Sequence, residues 1–421
     1  MSSDWDTKPL IAIAKNDGGF FLDGDWIESK DLSDDGIRYI TTGAVDVGVY
    51  KERGTGFVSE ETFQKLQCTE VFPGDILISR LNLPAGRACI VPDLGYRIVT
   101  SVDNVIARPS DKYDRRFVVY LLSSKPYLEH ASMLARGTTM RRISRSALGR
   151  IRLTLPEKQL QTRIADFLDD ETGRIDRLIE DKTRFIALLK EKRAAVIDHA
   201  VTKGIDRNVE MKPSGLDWLG DIPAHWETVP PTVLFKESKE RAHEGDQLMS
   251  ATQKYGVIPL AEFEALEQRQ VTMAVANLDK RKHVEVGDFV ISMRSMDGGL
   301  ERARAVGSVR SSYSVLKCGP EVEGRFFGYL LKSSLYIQAL RLTTSFIRDG
   351  QDMNFSHFRK VRLPRIPIAE QTKIADHIER ETTRIDGLLE KTERSIALLK
   401  EKRAALITAA VTGKIDVRAA A

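Results

Sequence analysis

The chain has 421 residues, 42% of them hydrophobic and 29% charged, and its formal net charge is +4. This composition is typical of a globular protein, and the length allows two or three domains. The sequence contains no apolar run of about 18 residues and no signal-peptide pattern, and its three cysteines lie outside any CxxC pair. We therefore expect a cytoplasmic protein without membrane spans, and the scattered cysteines argue against structural zinc.

Residues 1–155 are predicted to form a first domain in which short strands and helices are mixed. The charge changes abruptly within it, because residues 1–114 carry a net charge of about −7 and residues 115–155 about +8. A basic block beside an acidic stretch indicates a face that binds a polyanion, although a solvated surface has the same composition. The predicted strands are Ile37–Thr42, Asp75–Ser79, Ala88–Val91 and Ile98–Val102, and the predicted helices are Phe117–Ser123 and Tyr127–Leu134.

A long helix then occurs twice in the chain. Residues 161–206 and 371–416 align without a gap and are identical at about 29 of 46 positions. Both copies repeat apolar residues at alternating steps of three and four, which is typical of a coiled-coil seam, with Ser395 as a polar interruption. The predicted helix-pairing seam comprises Ile164, Leu168, Ile175, Leu178, Phe185, Leu189, Val196, Ile374, Ile378, Ile385, Leu388, Leu399 and Leu406. The two helices are expected to pair in antiparallel fashion; the alternative is two separate surface helices.

The segment between the helices repeats the outline of the first domain. Gly287 opens a GDFVIS run that matches the GDILIS run at Gly74, and RFFGYLL from Arg325 matches RFVVYLL from Arg116. The sequence thus predicts an α+β protein: two mixed α/β domains joined by two long helices that pair as an antiparallel coiled coil with pseudo-two-fold symmetry. The predicted boundaries are 1–155 for the first domain, 156–206 for the first helix, 207–228 for an ordered connector, 229–365 for the second domain, and 366–421 for the second helix and C-terminal tail.

Motifs for catalysis are missing from the sequence. It has no P-loop, no GxGxxG after a strand and no HExxH pair, and it lacks the Asp/Asn-Pro-Pro-aromatic tetrapeptide expected of a nucleic-acid amino-methyltransferase. Asp176, Glu180 and Lys182 imitate a nuclease motif, but the second helix copy has Thr392 in place of the lysine. We therefore predict no catalytic residues and no metal site, and we do not expect the chain to be an enzyme by itself.

Two polar clusters at equivalent places in the two domains instead indicate DNA binding. Arginine binds phosphate and guanine, asparagine and glutamine suit adenine, and serine and threonine donate to phosphates and base edges. Further polar loops follow the two Gly-Asp strands and include residues 250–255. The predicted DNA-binding residues are Arg80, Asn82, Arg87, Thr138, Thr139, Arg141, Arg142, Arg145, Gln253, Lys254, Tyr255, Arg294, Ser345, Arg348 and Asn354.

Together these features resemble the specificity subunits of Type I restriction–modification systems, over nearly the whole chain. The resemblance is carried by the two helix copies that begin at Gln161 and Gln371, the Pro367-x-x-Glu370-Gln371 lead-in, the run Gly36-Ile37-x-Tyr39-Ile40-x-Thr42-Gly43, the run Gly74-Asp75-Ile76-Leu77 and residues 250–259. It implies two target-recognition domains, each of which reads one half of a bipartite, asymmetric DNA site. It also implies that the helices set the spacer between the half-sites and dock the modification subunits.

The resemblance also implies the partners and cofactors of the chain. The partners are double-stranded DNA, two modification (methyltransferase) subunits and restriction subunits, with no membrane. The chain itself is expected to hold no cofactor: S-adenosylmethionine belongs to the modification subunits, which methylate adenine, and ATP and Mg²⁺ belong to the restriction subunits.

The first half of the chain departs from this pattern at two places. Leu160 stands where the second helix copy has Glu370, and the first domain lacks a counterpart of residues 218–226. The N-terminal strand pairing is therefore uncertain from the sequence, and residues 411–418 of the tail are the expected substitute.

Two other classes of function are compatible with parts of the sequence. A non-enzymatic coiled-coil scaffold that binds proteins would also need two long helices. A self-contained methyltransferase is disfavoured, because its motifs are missing.

Overall fold

We describe the protein from a computed structural model, which covers residues 5–53, 55–271, 280–292, 294–343, 353–415 and 417. The chain divides into two compact units, one made of Met1–Thr183 with Glu393–Ala421 and the other of Arg184–Thr392. Each unit has its own sheets and its own hydrophobic core. A search of the described helices finds none that is long and apolar enough to cross a membrane.

The first unit begins with ten strands and five helices that precede the first long helix. The strands are β1 (Asp6–Pro9), β2 (Phe20–Asp23), β3 (Leu32–Ser33), β4 (Ile37–Ile40), β5 (Thr55–Val58), β6 (Ile76–Ser79), β7 (Ala88–Ile90), β8 (Ile98–Thr100), β9 (Asn104–Arg108) and β10 (Arg152–Leu155). The helices are α1 (Leu10–Lys15), α2 (Glu60–Leu66), α3 (Arg115–Leu122), α4 (Lys125–Leu134) and α5 (Arg145–Arg150), and the long helix is α6 (Lys158–Lys203).

The core of this unit is a four-stranded antiparallel sheet with both faces covered. Its strand order is β2-β9-β6-β7. Successive side chains of a strand point to opposite faces, and here Ile76 and Ile78 pack with the residues of α1, α3 and α4. Leu77 packs on the other face with Ile40 and Ile98 of a second sheet, ordered β3-β5-β4-β8. Burial on both faces explains why the GDILIS run is continuously apolar.

The second unit repeats this arrangement with a longer approach to its first strand. Its strands are β11 (Met211–Pro213), β12 (Asp221–Pro223), β13 (Glu227–Val229), β14 (Phe235–Ser238), β15 (Met249–Thr252), β16 (Gly256–Pro259), β17 (Lys282–Val284), β18 (Phe289–Ile291), β19 (Glu301–Arg302), β20 (Gly307–Val309), β21 (Ser314–Cys318) and β22 (Leu363–Arg365). Its helices are α7 (Pro231–Leu234), α8 (Leu260–Glu267), α9 (Ser295–Gly298), α10 (Gly324–Leu330), α11 (Ser334–Leu342) and α12 (Phe355–Phe358), followed by the second long helix, α13 (Ile368–Val411).

The equivalent sheet of the second unit has the order β14-β21-β18-β19. Phe289 and Ile291 face the helices, whereas Val290 faces Val257 and Val309 of the neighbouring hairpins. The predicted α+β fold with two long helices is therefore confirmed.

The repeated Gly-Asp pair has a structural role in both units. Gly74 and Gly287 have φ angles of +89° and +96°, which glycine adopts without strain. The aspartates that follow each accept a hydrogen bond from the backbone N–H three residues earlier, and each pairs with a cation of the adjacent strand. Asp75 binds Arg108 through two contacts of 2.7 Å, and Lys317 lies 3.0 Å from the other aspartate, Asp288.

Within each unit, the two long helices run antiparallel. In the first unit the start of α6 packs on the end of α13, with Ile164 and Leu168 in the same core as Ile407. In the second unit the end of α6 packs on the start of α13, with Val201 in the same core as Ile374.

The two units repeat the same ion pair between the helices. In the first unit Arg403 lies 2.9 Å from Asp176, and in the second Arg193 lies 2.9 Å from Asp386. Each pair joins equivalent positions of the two helix copies, with the helices exchanged. Because these side chains are partly exposed, each pair contributes at most about 1 kcal/mol, and the apolar contacts contribute more.

The predicted helix-pairing seam is unevenly buried. Its buried members are Ile164, Leu168, Ile175, Leu189, Ile374, Ile378 and Ile385; its half-buried members are Val196, Leu399 and Leu406; and its exposed members are Leu178, Phe185 and Leu388. The exposed members lie near the middle of their helices. The seam is therefore buried on either side of the helix centres and exposed at them, and its role along the full helix length stays a prediction.

The N-terminal edge of the first unit is complete without the tail. β1 pairs antiparallel with β10, as β13 pairs with β22 in the second unit. The expectation that the C-terminal tail forms this edge is corrected, since Ile415 and Val417 instead pack into the core of the first unit.

The two sequence departures of the first half have one common explanation. In the second unit, Glu370 accepts a hydrogen bond from the buried indole of Trp226 at 3.1 Å and lies 2.8 Å from His225. In the first unit, Trp5 precedes the equivalent strand, and Leu160 packs against the same core as Trp5. Leu160 in the first unit therefore takes the place of Glu370 in the second, because its surroundings there are apolar.

Candidate nucleic-acid interface

The structure brings together the two polar segments predicted for DNA binding in the first unit. The segment after β6 lies beside the segment that follows α4, with Leu81 bridged to Arg142. The backbone N–H of Asn82 donates to the carbonyl of Arg141 at 2.8 Å, and that of Ile143 donates to the carbonyl of Arg80 at 3.0 Å. About 60 residues of chain separate these segments, so only the fold makes them one surface.

The outermost part of this surface is a loop that we call the recognition loop, residues 136–142. Its ends are held by two backbone hydrogen bonds between Arg136 and Arg142, of 2.8 and 3.0 Å. Thr138 and Thr139 are exposed between them, and Met140 is 65% exposed. The backbone is thereby satisfied at the base of the loop, while the hydroxyl groups at its tip are presented to solvent.

Two of the predicted DNA-binding arginines direct their side chains into the protein, not to solvent. Arg80 is 5% exposed and lies 3.2 Å from Asp23. Arg87 donates to the carbonyls of Thr42 and Val45 at 3.0 and 2.6 Å. Burial lowers the pKa of both guanidinium groups, and their donors are directed at the protein itself. Their placement favours a positioning role for both residues.

The remaining arginines of the cluster differ in whether a carboxylate or a backbone carbonyl within the protein binds their side chain. Arg141 donates to the carbonyl of Ala135 at the end of α4, at 3.1 Å. Arg142 lies 2.7 Å from Asp103, and Arg145 lies 3.6 Å from Asp23. Arg136 is exposed and has no ion pair among the residues that the structure describes. Arg136 therefore presents the least compensated positive charge of the loop.

In the second unit, the tip of the β15–β16 hairpin lies beside the segment that follows the Gly-Asp strand, since Gln253 contacts Gly298. Gln253 and Lys254 are exposed at this tip, and the ammonium of Lys254 lies 4.6 Å from the ring centre of Tyr255. The carboxylate of Glu267 forms an ion pair with the ammonium of Lys254 at 3.4 Å and accepts a hydrogen bond from the hydroxyl of Tyr255 at 2.9 Å. The hairpin thus places an amide, a cation and an aromatic ring side by side.

A second element of this surface is α9, which follows the Gly-Asp strand of the second unit. Arg294 is exposed at its start, with no ion pair within the described part of the chain. Gln253 packs against Gly298, where a Cβ would come within 2.5 Å of its amide. Asn354 caps α12 by accepting from the backbone N–H of Ser356 at 2.9 Å. The predicted contacts Ser345 and Arg348 lie outside the described residues.

The sequence alone did not point to a basic cavity of about 730 Å³ in the second unit. Its cations are Arg193, Lys254, Arg302, Arg304, Arg325 and Lys332. Glu301 holds Lys332 at 2.8 Å, and Arg325 is held by Asp376 at 2.8 Å. Arg302 and Arg304 have no such ion pair among the described residues. Arg302 and Arg304 are not part of any motif in the sequence. Only the fold, which places them beside the tip of the β15–β16 hairpin, identifies them as part of a basic site.

Comparisons with known proteins bear on the family and the fold of the chain. Residues 3–184 match the family model of the Type I restriction modification DNA specificity domain. The chain is 22% identical, over 320 residues, to the specificity subunit of the Type I restriction enzyme EcoBI of Escherichia coli, which covers 73% of this chain and 67% of that protein.

Two solved structures share the fold over almost the whole chain. One comes from a study of complex assembly and conformational transition of the Type I restriction–modification system, with a TM-score of 0.69, 15% identity and 97% of both chains covered. The other is the HsdS subunit from Thermoanaerobacter tengcongensis, with a TM-score of 0.50, 14% identity and 98% of both chains covered. At these identities the structures show the fold alone. Taken with the family match, they lead to one conclusion: the chain carries a Type I restriction modification DNA specificity domain in residues 3–184, and over almost its whole length it has the fold of an HsdS subunit.

Proposed function

We propose that each unit reads one half of a bipartite, asymmetric DNA site. The observation that carries this proposal is that, in each unit, exposed polar loops gather beside the segment that follows the Gly-Asp strand. The recognition loop and Arg136 form this surface in the first unit, and the β15–β16 hairpin with Arg294 forms it in the second. Because the loops differ in sequence while the helices are identical at about 29 of 46 positions, the two units are suited to reading different half-sites.

The proposal divides the residues of the first unit into two roles. Thr138, Thr139 and Met140 at the loop tip are placed to meet base edges, where threonine donates and an apolar group contacts the thymine methyl. Arg136 and Arg142 at the base of the loop are placed to meet phosphates, which fix the orientation of the protein on the duplex.

The test of the proposed function is the salt dependence of binding to duplex DNA, measured with the modification subunits present. In the variant that combines Arg136→Ala and Arg142→Ala, we expect the slope of log affinity against log salt to fall by about 1.8, because each lost phosphate contact removes about 0.9. The measurement is a titration of labelled DNA at several salt concentrations.

A matched control separates this effect from a general loss of charge. Lys65 is an exposed cation near the end of α2, and Lys65→Ala should leave the slope unchanged. An unaltered slope in the double arginine variant would show that the recognition loop faces away from DNA.

We further propose that the long helices dock two modification subunits, which methylate adenine with S-adenosylmethionine. Support comes from apolar side chains that the helices leave exposed. Leu188 and Leu398 occupy equivalent positions of the identical IALLKEKRAA runs and are 56% and 57% exposed. Leu178 and Leu388 form a second equivalent pair, 49% and 39% exposed. Restriction subunits with ATP and Mg²⁺ complete the proposed complex, which acts in the cytoplasm.

The helices are also proposed to set the spacer between the half-sites. Adding seven residues to each helix, after Thr183 and after Thr392, lengthens each by about 10 Å while it keeps the phase of a heptad seam. We expect the gap between the recognised half-sequences to grow by about three base pairs. Methylation-site mapping measures the gap.

A variant with the insertion in only one of the two helices is the control for this experiment. Seven residues added to one helix alone shift that helix against its antiparallel partner, so this variant should lose specific methylation. If the double insertion kept the parental gap, then the partner subunits, rather than the helices, would determine the spacing.

A further inference from the structure

A cluster of histidines and carboxylates lies at the base of the β15–β16 hairpin in the second unit. Glu240, His243 and Asp246 lie on the loop between β14 and β15, and His283 lies on β17, with Glu285 just after it. The predicted and described DNA-binding residues do not include any of these five. Two imidazoles with several carboxylates form a donor set that transition-metal ions prefer.

Both ring nitrogens of His283 lie next to carboxylate oxygens, which accept hydrogen bonds and do not donate them. Its Nδ1 lies 2.8 Å from Asp246 Oδ2, and its Nε2 lies 3.0 Å from Glu285 Oε1. A neutral imidazole has one N–H. If Nδ1–H donates to Asp246, the lone pair of Nε2 faces a carboxylate oxygen, and this pair of acceptors requires either a proton or a cation between them.

The contact with Asp246 is also the one that orients a metal-bound histidine. Metal-binding histidines usually donate their second ring N–H to a carboxylate, which fixes the tautomer and the orientation of the ring. The side chains of His283 and Asp246 are 3% and 7% exposed, and Asp246 also accepts from the backbone N–H of His243 at 2.9 Å. The buried wall of the site is therefore rigid.

The open side of the site is formed by two exposed residues. The ring of His243 stacks on that of His283 with 4.0 Å between centroids, and His243 Nε2 lies 3.0 Å from Glu240 Oε1. One donor atom each of Glu240, His243 and His283 lies within 4.8 Å of the others. A tetrahedral zinc ion with bonds of about 2.1 Å holds its ligands roughly 3.4 Å apart, so the donor atoms must approach by about 1 Å. Because an imidazole binds a metal in the plane of its ring, the exposed ring of His243 must also turn out of its stack on His283.

We propose that Glu240, His243 and His283 bind one transition-metal dication of the Zn²⁺ class, with Glu285 completing the coordination. Asp246 is the residue that positions His283. The ion would join the loop between β14 and β15 to β17. The carbonyl of Gln247 in the same loop accepts from the backbone N–H of Ser308 at 2.8 Å, so the ion would fix the hairpin from its base.

Zinc itself is the probe, and the full chain is used without an affinity tag after treatment with a chelator. Cys318 is an exposed thiol, so all proteins carry Cys318→Ser to remove adventitious binding. Calorimetric titration should show one equivalent of zinc. His243→Ala and Glu240→Gln change exposed side chains and should each weaken binding by about tenfold or more. In a thermal melt, zinc should stabilise the parent but neither variant.

The matched control is His199→Ala, which removes an exposed histidine of α6 outside the cluster and should bind zinc like the parent. Circular dichroism checks that the variants are folded. The proposal is overturned if the parent binds no zinc, or if both ligand variants bind it as tightly as the parent, because His283 is then an imidazolium held by its two carboxylates. The readout requires no DNA, so it is independent of the proposed recognition function.

Discussion

Exchanging residues 229–365 for the corresponding segment of a relative is expected to change one half of the methylated sequence and to leave the other half as it was. The reason is that this segment forms the recognition domain of the second unit and ends on one strand pair. Val229 of β13 lies opposite Leu363 of β22. Both junctions therefore fall at one place in the fold, and the exchanged segment carries the β15–β16 hairpin and α9 with it.

The measurement is the mapping of methylated adenines in a host that carries the hybrid. The reciprocal exchange of residues 6–155, which end on the equivalent pair β1 and β10, should change only the other half. A hybrid in which both halves changed would contradict the assignment of one half-site to each unit. For the hybrid to fold, the donor segment should retain the contacts to α13 made by Arg325 and Glu323.

A second large effect is expected from Gln371→Ala at the start of α13. Gln371 is 1% exposed. Its side-chain amide donates to the carbonyls of Glu321 and Ile366, both at 2.8 Å, and its side-chain oxygen accepts from the backbone N–H of Glu323 at 2.8 Å. The alanine variant removes the side-chain partner of three backbone groups, one in a buried and two in partly buried hydrogen bonds. We expect the free energy of unfolding of the second unit to fall by about 2–4 kcal/mol.

Denaturant unfolding followed by tryptophan fluorescence measures this loss, because Trp226 is fully buried in the second unit. The control is Gln64→Ala in α2, where an exposed glutamine contacts only Glu60 one turn away, and its effect should stay within about 0.5 kcal/mol. Equal stabilities of the two variants would show that other groups replace the lost hydrogen bonds. In the first unit, Gln161 accepts from the backbone N–H of Asp114 at 3.0 Å, so Gln161→Ala should destabilise that unit similarly.

The sequence by itself determined the repeat and the classes of element. Two similar helical segments have the same apolar period, and the period of a helix is a local property of the chain. The same holds for the Gly-Asp runs, since continuous apolar strands require burial on both faces. The family resemblance also rests on these local runs, and the comparisons confirm it.

Tertiary structure decided which arginines are free. Arg80, Arg87 and Arg136 have the same chemistry in the sequence, yet the first two direct their donors at backbone carbonyls or a carboxylate while the third is exposed. A guanidinium group has five N–H donors, and it is available to DNA only where the fold leaves some of them without internal acceptors. This depends on residues distant in sequence, such as Asp23 and Val45, which no local pattern identifies.

Tertiary structure also decided the pairing of the N-terminal edge and the histidine cluster. From the sequence, we expected the C-terminal tail to form the N-terminal edge of the first domain. In the structure β1 forms this edge by pairing with β10, about 145 residues away. His243 and His283 are about 40 residues apart, with none of the short spacings that mark metal sites in a sequence, and antiparallel pairing of β17 with β20 places the second beside the loop that carries the first. Sequence periodicity specifies which face of an element is buried, but strand pairing specifies which polar groups meet, because it joins segments that are remote in the chain.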